Sequence, residues 1–296
     1  MRRECDPSET PLVSNMSKET TSGVTTEWQV QELAAAVDTN YVNEGADFSY
    51  ANPSPTSRLT NIHQISVQAA SVSNTLDAVD KAGRAKETAY VKVLKGLEQR
   101  RDIEKALFKN EAKSGSDPRK AAKLITWITN VDKPSDMAAA TGDGSDAADL
   151  TGTAAALTLA KIDAALLAAY TDGGNPNMLL MSPTNKQNFS GLSSGSVATN
   201  QITTSAPKEI AIVGSASIYL SDFGELSVTI DRQCPNSELY CIDTEHVCLG
   251  TLANRSFAVS DVAPVGDATR FAITSEWTLI VKAPKAHAAV IGLNGS

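Results

Sequence analysis

Apolar positions fall into distinct regimes along the chain. Residues 1–57 are rich in Ser, Thr, Pro and Asn, and their apolar side chains are too sparse to enclose a core. Trp28, Val30 and Leu33 are the natural anchor points in this stretch. Asn52-Pro53-Ser54-Pro55 keeps the backbone extended, because each proline disfavours helix in the residue before it. The stretch reads as an extended arm that must lie against its own body or against a neighbouring chain.

From Leu59 to Val79 the pattern becomes that of strands. Ile65, Val67 and Ala69 alternate with Ser66 and Gln68, a two-residue period with one apolar face. Ser73–Asn74 supplies a turn signal and Thr75–Val79 reads as a returning strand, so 58–80 is expected to be a long projecting hairpin.

Residues 81–113 carry the strongest helical period. Ala89, Tyr90, Val93, Leu97, Leu107 and Phe108 fall on one stripe, and Arg100 and Glu104 interrupt it one turn apart. Two readings of that interruption stand: a surface i,i+4 pair worth about 0.3–0.5 kcal/mol, or an inter-chain surface that needs a directional ion pair. Ser114-Gly115-Ser116-Asp117-Pro118 ends the helix, Pro118–Trp127 is a short amphipathic segment, and 130–152 is a loop rich in Asp, Gly and Ala.

An α/β unit follows. Thr158–Tyr170 is helical with Leu159, Ile162, Leu166 and Tyr170 on the inward face, and Gly173–Gly174 stops it. Asn177–Met181 reads as a buried strand, and Ser182–Pro183 opens another helix with serine as cap and proline at the first position. After a polar loop at 191–207 the chain is mostly strand: Ile210–Val213, Ser217–Leu220, Leu226–Asp231, Leu239–Ile242, Val247–Leu252, Phe257–Val259 and Phe271–Lys282. Helices and strands are mixed without a repeating unit, so the fold class is α+β.

Composition sharpens this picture in three ways. With 296 residues, 42% apolar and 20% charged, the chain is long enough for one large or two modest cores and is not mainly disordered. The net charge of −8 is uneven: residues 81–123 hold 13 basic against 6 acidic side chains, +7, which leaves −15 for the rest. Three histidines and four cysteines without a C-x-x-C pair argue against a zinc or thioredoxin-type centre, so no cofactor and no metal are expected. Cys234, Cys241 and Cys248 recur at intervals of seven, and Cys5 stands apart. They read as small buried hydrophobes or, alternatively, as thiols available for inter-chain cross-linking. Met1–Thr10 lacks the apolar core of a secretory signal, and Ala154–Tyr170 is too short and too charged to span a bilayer, so no membrane role is expected.

Catalytic motifs are weak. Gly191-Leu192-Ser193-Ser194-Gly195 matches the G-x-S-x-G elbow of an α/β hydrolase, with His246 or His287 as possible bases. That motif needs a strand running into the serine, whereas here it follows a helix. Asp222-Phe223-Gly224 copies a kinase triplet but sits between two strands, as a hairpin turn does. Asp143-Gly144-Ser145-Asp146 lacks the ligand ladder of a calcium loop. The basic helix interleaves acids and offers only Tyr90 and Phe108 as aromatics, which makes a DNA-binding module centred on 81–123 a secondary reading. No catalytic residue is assigned.

Read in order, several segments carry a resemblance. They are Asp6-Pro-Ser-Glu-Thr-Pro-Leu12, Thr26-Glu-Trp-Gln29, Asn43-Glu-Gly-Ala-Asp47, Arg58-Leu-Thr-Asn-Ile-His-Gln-Ile65, Ala78-Val-Asp-Lys-Ala-Gly-Arg84, Leu97-Glu-Gln-Arg-Arg-Asp-Ile-Glu-Lys-Ala-Leu107, Gly174-Asn-Pro-Asn-Met-Leu-Leu-Met-Ser-Pro183 and Ser221-Asp-Phe-Gly224. The ordered set resembles the major capsid (head) proteins of tailed double-stranded-DNA bacteriophages, which share the Hong Kong 97-type fold. The resemblance implies an N-terminal arm (1–57), an extended-loop hairpin (58–80) and a peripheral domain with a spine helix (81–135). It further implies an axial domain (136–232) and returning peripheral strands with the C-terminus (233–296). It implies a structural subunit, not an enzyme, that assembles into pentamers and hexamers of an icosahedral head in the host cytoplasm. Portal, scaffolding and cement or decoration proteins would be partners, with packaged double-stranded DNA inside. The arm begins almost at Met1, so scaffolding is expected from a separate protein or not at all. Candidate inter-subunit contacts are Trp28, Ile65, Val67, Arg100, Arg101, Glu104 and Lys105; Cys5, Cys234, Cys241 and Cys248 are the candidate cross-linking thiols.

Overall fold

Three short strands with no exposed side chain set the centre of the fold: Met178–Met181, Glu238–Ile242 and Ala288–Ile291. The computed structural model describes residues 9–48, 50, 52, 54–79, 86–196 and 218–295. In chain order its elements are α1 (Pro11–Asn15), β1 (Ser17–Thr21), β2 (Thr25–Val30), β3 (Ser57–Ile62), β4 (Gln64–Ser73), α2 (Asn74–Ala78), α3 (Glu87–Leu107) and β5 (Asn130–Asp132). There follow α4 (Leu159–Thr171), β6 (Met178–Met181), α5 (Pro183–Ser196), β7 (Ile218–Ser221), β8 (Gly224–Ile230), β9 (Glu238–Ile242), β10 (Val247–Leu252), β11 (Ala258–Val262), β12 (Ala268–Val281) and β13 (Ala288–Ile291).

Among the described residues, one mixed sheet runs β5-β13-β9-β6-β8-β7. Its three central strands, β13, β9 and β6, are buried on both faces because each face has a core to fill. Met178, Leu180, Tyr240, Ile242, Ala289 and Ile291 point into the larger core, together with Trp127, Trp277, Ile103 and Leu107. Their neighbours Leu179, Met181, Leu239, Cys241, Ala288 and Val290 point the other way, against Ile162 and Leu166 of α4 and Phe189 of α5. The second sheet runs β1-β10-β12-β11, with β4 also paired to β12 over ten residues from Gln64↔Trp277 to Ser73↔Ala268.

The α/β unit forms as the sequence predicts. Gly173 takes a positive φ of 87°, and its N–H reaches the Tyr170 carbonyl at 3.0 Å, closing α4. Gly174 passes so near Ala286 that a Cβ would meet its Cα at 2.5 Å. At the start of α5, Ser182 Oγ accepts the Asn185 N–H at 3.2 Å. Asp222 and Phe223 turn the β7–β8 hairpin, as expected. The predicted strand Ile210–Val213 lies outside the described residues.

The hairpin expected at 58–80 is not formed. β4 instead pairs with β12, some 200 residues away, and Asn74–Ala78 is a helix whose N-cap is Ser73. The turn signal at Ser73–Asn74 is a helix start, and it is held by Asn74, whose N–H and side-chain amide donate to Asp267 at 3.2 and 2.7 Å, with no cap bond from Ser73 Oγ. The real hairpin lies earlier. β2 pairs antiparallel with β3 from Thr25↔Ile62 to Val30↔Ser57, so 31–56 is its tip.

The arm is correspondingly shorter than expected. Leu12, Val13 and Met16 of the stretch read as coreless are buried, and β1 adds a parallel edge to β10. The helix α3 stops at Leu107 rather than at 113. Phe108 leaves the helix to stack on Tyr240 at 5.8 Å, and Asn110 exchanges side-chain bonds with the Ala148 backbone, holding the next residues extended.

Candidate assembly surfaces

The sequence-selected residues divide into those turned inward and those left outside. Trp28, half-buried on β2, lies on Trp127 with ring centroids 5.3 Å apart, so it ties the hairpin to its own body. Glu104 is fully buried. Its Oε1 and Oε2 accept the N–H groups of Leu12 and Val13 at 2.6 and 2.8 Å, and no surface pair with Arg100 is made. Arg100 instead donates to Ser14 Oγ at 2.7 Å. Thus α1 covers the C-terminal part of the apolar stripe of α3, around Glu104. The N-terminal part stays open, with Tyr90, Val93 and Leu97 exposed. Tyr170, expected inside, is likewise exposed and rests against Phe223 at 5.3 Å.

Ile65 and Val67 are exposed on β4. Alternation puts Ser66 on the opposite face, where it accepts from Trp277 Nε1 at 2.9 Å and from Gln99 through its carbonyl at 2.9 Å. Lys105 is exposed and Arg101 half-buried on α3.

Much of the positive segment is neutralised within the subunit. Lys92 meets Asp261 at 3.3 Å, and Lys109 and Lys120 both meet Glu111, at 3.0 and 2.9 Å. Arg119 and Arg255 close on the buried Glu276 carboxylate at 2.9 and 2.8 Å. Lys113 donates to the carbonyls of Thr60 and Asp143. Lys123 is buried over the Trp277 ring and bonds Gln64 Oε1; burial pushes its pKa down to about 8. A DNA-reading face needs these cations free, and they hold loops together instead.

The hydrolase reading fails on local geometry. Gly191–Ser196 is the last part of α5, not a strand-to-helix turn, so the elbow that would present Ser193 is missing. His287 is buried, its Nδ1 accepts the Asp243 N–H at 3.1 Å, and desolvation pushes its pKa down to about 3. His246 faces Asp243 at 3.8 Å. No group of His, Cys, Asp and Glu among the described residues is arranged to hold a metal ion, and no helix among them is long and apolar enough to cross a membrane.

The thiols fare differently from the cross-linking expectation. Cys234, Cys241 and Cys248 are free and buried. Burial raises the Cys241 thiol to about 12 and Cys234 upward as well, so both stay protonated and inert. Cys5 lies outside the described residues.

What the surface offers most plainly is the hairpin tip. Leu33, Val37, Tyr41, Val42, Phe48 and Tyr50 are all exposed there, Leu33 at 98% and Tyr50 at 92%. The same tip carries Glu32, Asp38, Glu44 and Asp47 and no Lys or Arg. Six large apolar side chains in water on one loop mark a surface made to be covered.

The sequence profile of the SU10 major capsid protein family matches residues 4–294. The chain belongs to that family. It is 32% identical over 108 residues to the major capsid protein of Escherichia phage Phieco32, an alignment spanning 36% of this chain and 31% of that relative. The fold is shared more widely than the sequence. The cyanophage A-1(L) capsid asymmetric unit superimposes with a TM-score of 0.70 at 12% identity, covering 96% of this chain and 93% of that one. A native GTA particle capsid gives 0.62 at 14%, covering 99% and 93%. The holo-SrpI encapsulin complex from Synechococcus elongatus gives 0.62 at 11%, covering 100% and 91%. The capsid protein therefore has the Hong Kong 97-type fold expected from its sequence, and its family is a structural one.

Proposed function

We propose that this major capsid protein forms the pentamers and hexamers of an icosahedral head around double-stranded DNA, with the 31–56 tip as a strap laid on a neighbouring subunit. The exposed tip carries this reading: its six apolar side chains and the carboxylates of Asp38, Glu44 and Asp47 call for a partner that is apolar and basic, while Glu32 is already paired with Lys285 at 2.7 Å. The open part of α3 supplies the apolar side with Tyr90, Val93 and Leu97, and the exposed Lys105 lies further along the same helix. Ile65 and Val67 on β4 extend the same kind of surface. Arg100, Glu104 and Trp28 act inside the subunit, setting the helix and the hairpin base at the right angle.

Each such contact is small, and a closed shell repeats it at every subunit, so the assembly is held by multivalency. Because the tip is acidic and Lys105 is basic, added salt weakens the contact before it unfolds the subunit. The axial region (136–232), with α4 and α5, clusters at capsomer centres, and α3 with the β1-β10-β12-β11 sheet forms the periphery. Portal, scaffolding and cement proteins are its expected partners, and the host cytoplasm its place of assembly. Replacing 31–56 by a short glycine turn tests the reading: it predicts a folded, soluble subunit that no longer assembles. Normal assembly by that variant would count against it.

A further inference from the structure

We propose that the segment from Thr10 to Thr21 is a releasable latch on α3, closed by a hydrogen shared between the carboxyls of Glu104 and Asp231. This inference concerns the subunit itself and does not depend on the shell reading.

Glu104 holds the latch through both oxygens, at 2.6 Å to the Leu12 N–H and 2.8 Å to the Val13 N–H. Those two amides belong to the first turn of α1, where they have no partner inside the helix. Behind Glu104 sits Asp231, just past β8; both side chains are 0% exposed. After burial, the neighbouring Asp231 carboxyl is what raises the Glu104 pKa, as two acids close together in a dry site do. Two ionised carboxylates buried side by side repel and have no hydrogen to share, so the pair is held only while one of them is protonated. Asp231 Oδ1 accepts the Gln233 N–H at 2.7 Å, and its Oδ2 finds no donor among the described residues.

Burial leaves the pair little relief for a second negative charge. From α3, the Arg100 guanidinium donates to Ser14 Oγ at 2.7 Å. From the strand side come the Cys234 thiol and the Glu238 carboxyl, the latter accepting the Tyr240 O–H. From α1 come only Leu12, Val13, Ser14 and Met16. Burial and the neighbouring Asp231 accordingly raise the Glu104 pKa, against the pull of the two amides.

The sign follows by linkage. The closed latch binds a proton that the open segment, with solvated carboxylates, does not. Closure is therefore complete at and below the ordinary carboxyl range and weakens as pH rises above it, by up to tenfold per pH unit until the raised pKa is passed. Opening lifts Leu12, Val13 and Met16 out of the core and frees the edge of β10.

Amide hydrogen exchange on the full-length, unassembled chain tests this, with rates divided by the intrinsic rate at each pH. Between about pH 6 and about pH 9 the protection of Leu12 and Val13 should fall at least tenfold, while that of β12 stays constant. Glu104→Gln and Asp231→Asn each supply the shared hydrogen permanently and should hold the latch within about twofold over the same range. Asp231→Asn leaves both α1 bonds intact and decides the matter if Glu104→Gln does not fold. Unchanged protection in the parent chain, or a fall in the variants equal to that in the parent, overturns the proposal.

Discussion

Trp28 and Trp127 face each other at 5.3 Å with their rings tilted by 43°, and this contact joins two parts of the chain with opposite duties. Trp127 is fully buried at the end of the segment following α3. Trp28 belongs to β2, the strand that carries the exposed 31–56 tip. A strap can bear load only if its base is fixed, and this pair fixes it.

Trp28→Ala should therefore loosen the hairpin base and leave a void over Trp127. For a half-buried tryptophan in an aromatic pair the expected cost is about 2 kcal/mol. Urea unfolding should show a lower midpoint with an unchanged slope, and assembly should fail before folding does.

The buried His287 makes stability pH-dependent on the acid side. Its pKa is held at about 3 by burial, far below the ordinary histidine value, so the folded chain binds fewer protons than the unfolded one. Its contribution is complete above about pH 6.5 and is lost as pH falls, by about 1.4 kcal/mol per unit, until about pH 3. Glu238 acts in the opposite sense. Burial lifts its pKa to about 7, so its contribution declines as pH rises from the ordinary carboxyl range toward neutrality. Denaturant titrations from pH 4 to 8 should show both limbs, and His287→Asn should flatten the acid one.

The three described thiols should resist modification. Cys234, Cys241 and Cys248 are expected to stay unlabelled by iodoacetamide in the native subunit and to react fully in guanidinium, as read by mass spectrometry of the peptides. Rapid native labelling of Cys241 would contradict its burial.

The legibility of the fold follows from the range of the interactions involved. Strands with local signals were readable: Val247–Leu252 is β10 to the residue, and the apolar run ending at Met181 is β6. The Ser182–Pro183 helix start was equally plain. The hairpin was misplaced because β4 finds its partner in β12, while β2 and β3 meet across 26 intervening residues. Nothing local distinguishes those pairings from a turn at Ser73–Asn74. The Thr25–Val30 alternation was present in the sequence and is the signal that would have found the true hairpin. Glu104 departs from both sequence readings for a related reason. A carboxylate within an apolar stripe suggests a surface ion pair, yet its partners are backbone amides 91 and 92 residues away. Family membership was readable because it rests on many weak segments in order, whereas each residue contact rests on tertiary geometry.

The most direct test of the shell reading is negative-stain electron microscopy of the purified full-length chain, in the presence and absence of the 31–56 tip. The account predicts closed shells or capsomers of uniform size from the parent chain and only dispersed subunits from the tip-deleted variant. Dispersed monomers from the parent chain, at any concentration and salt at which it stays folded, would contradict it.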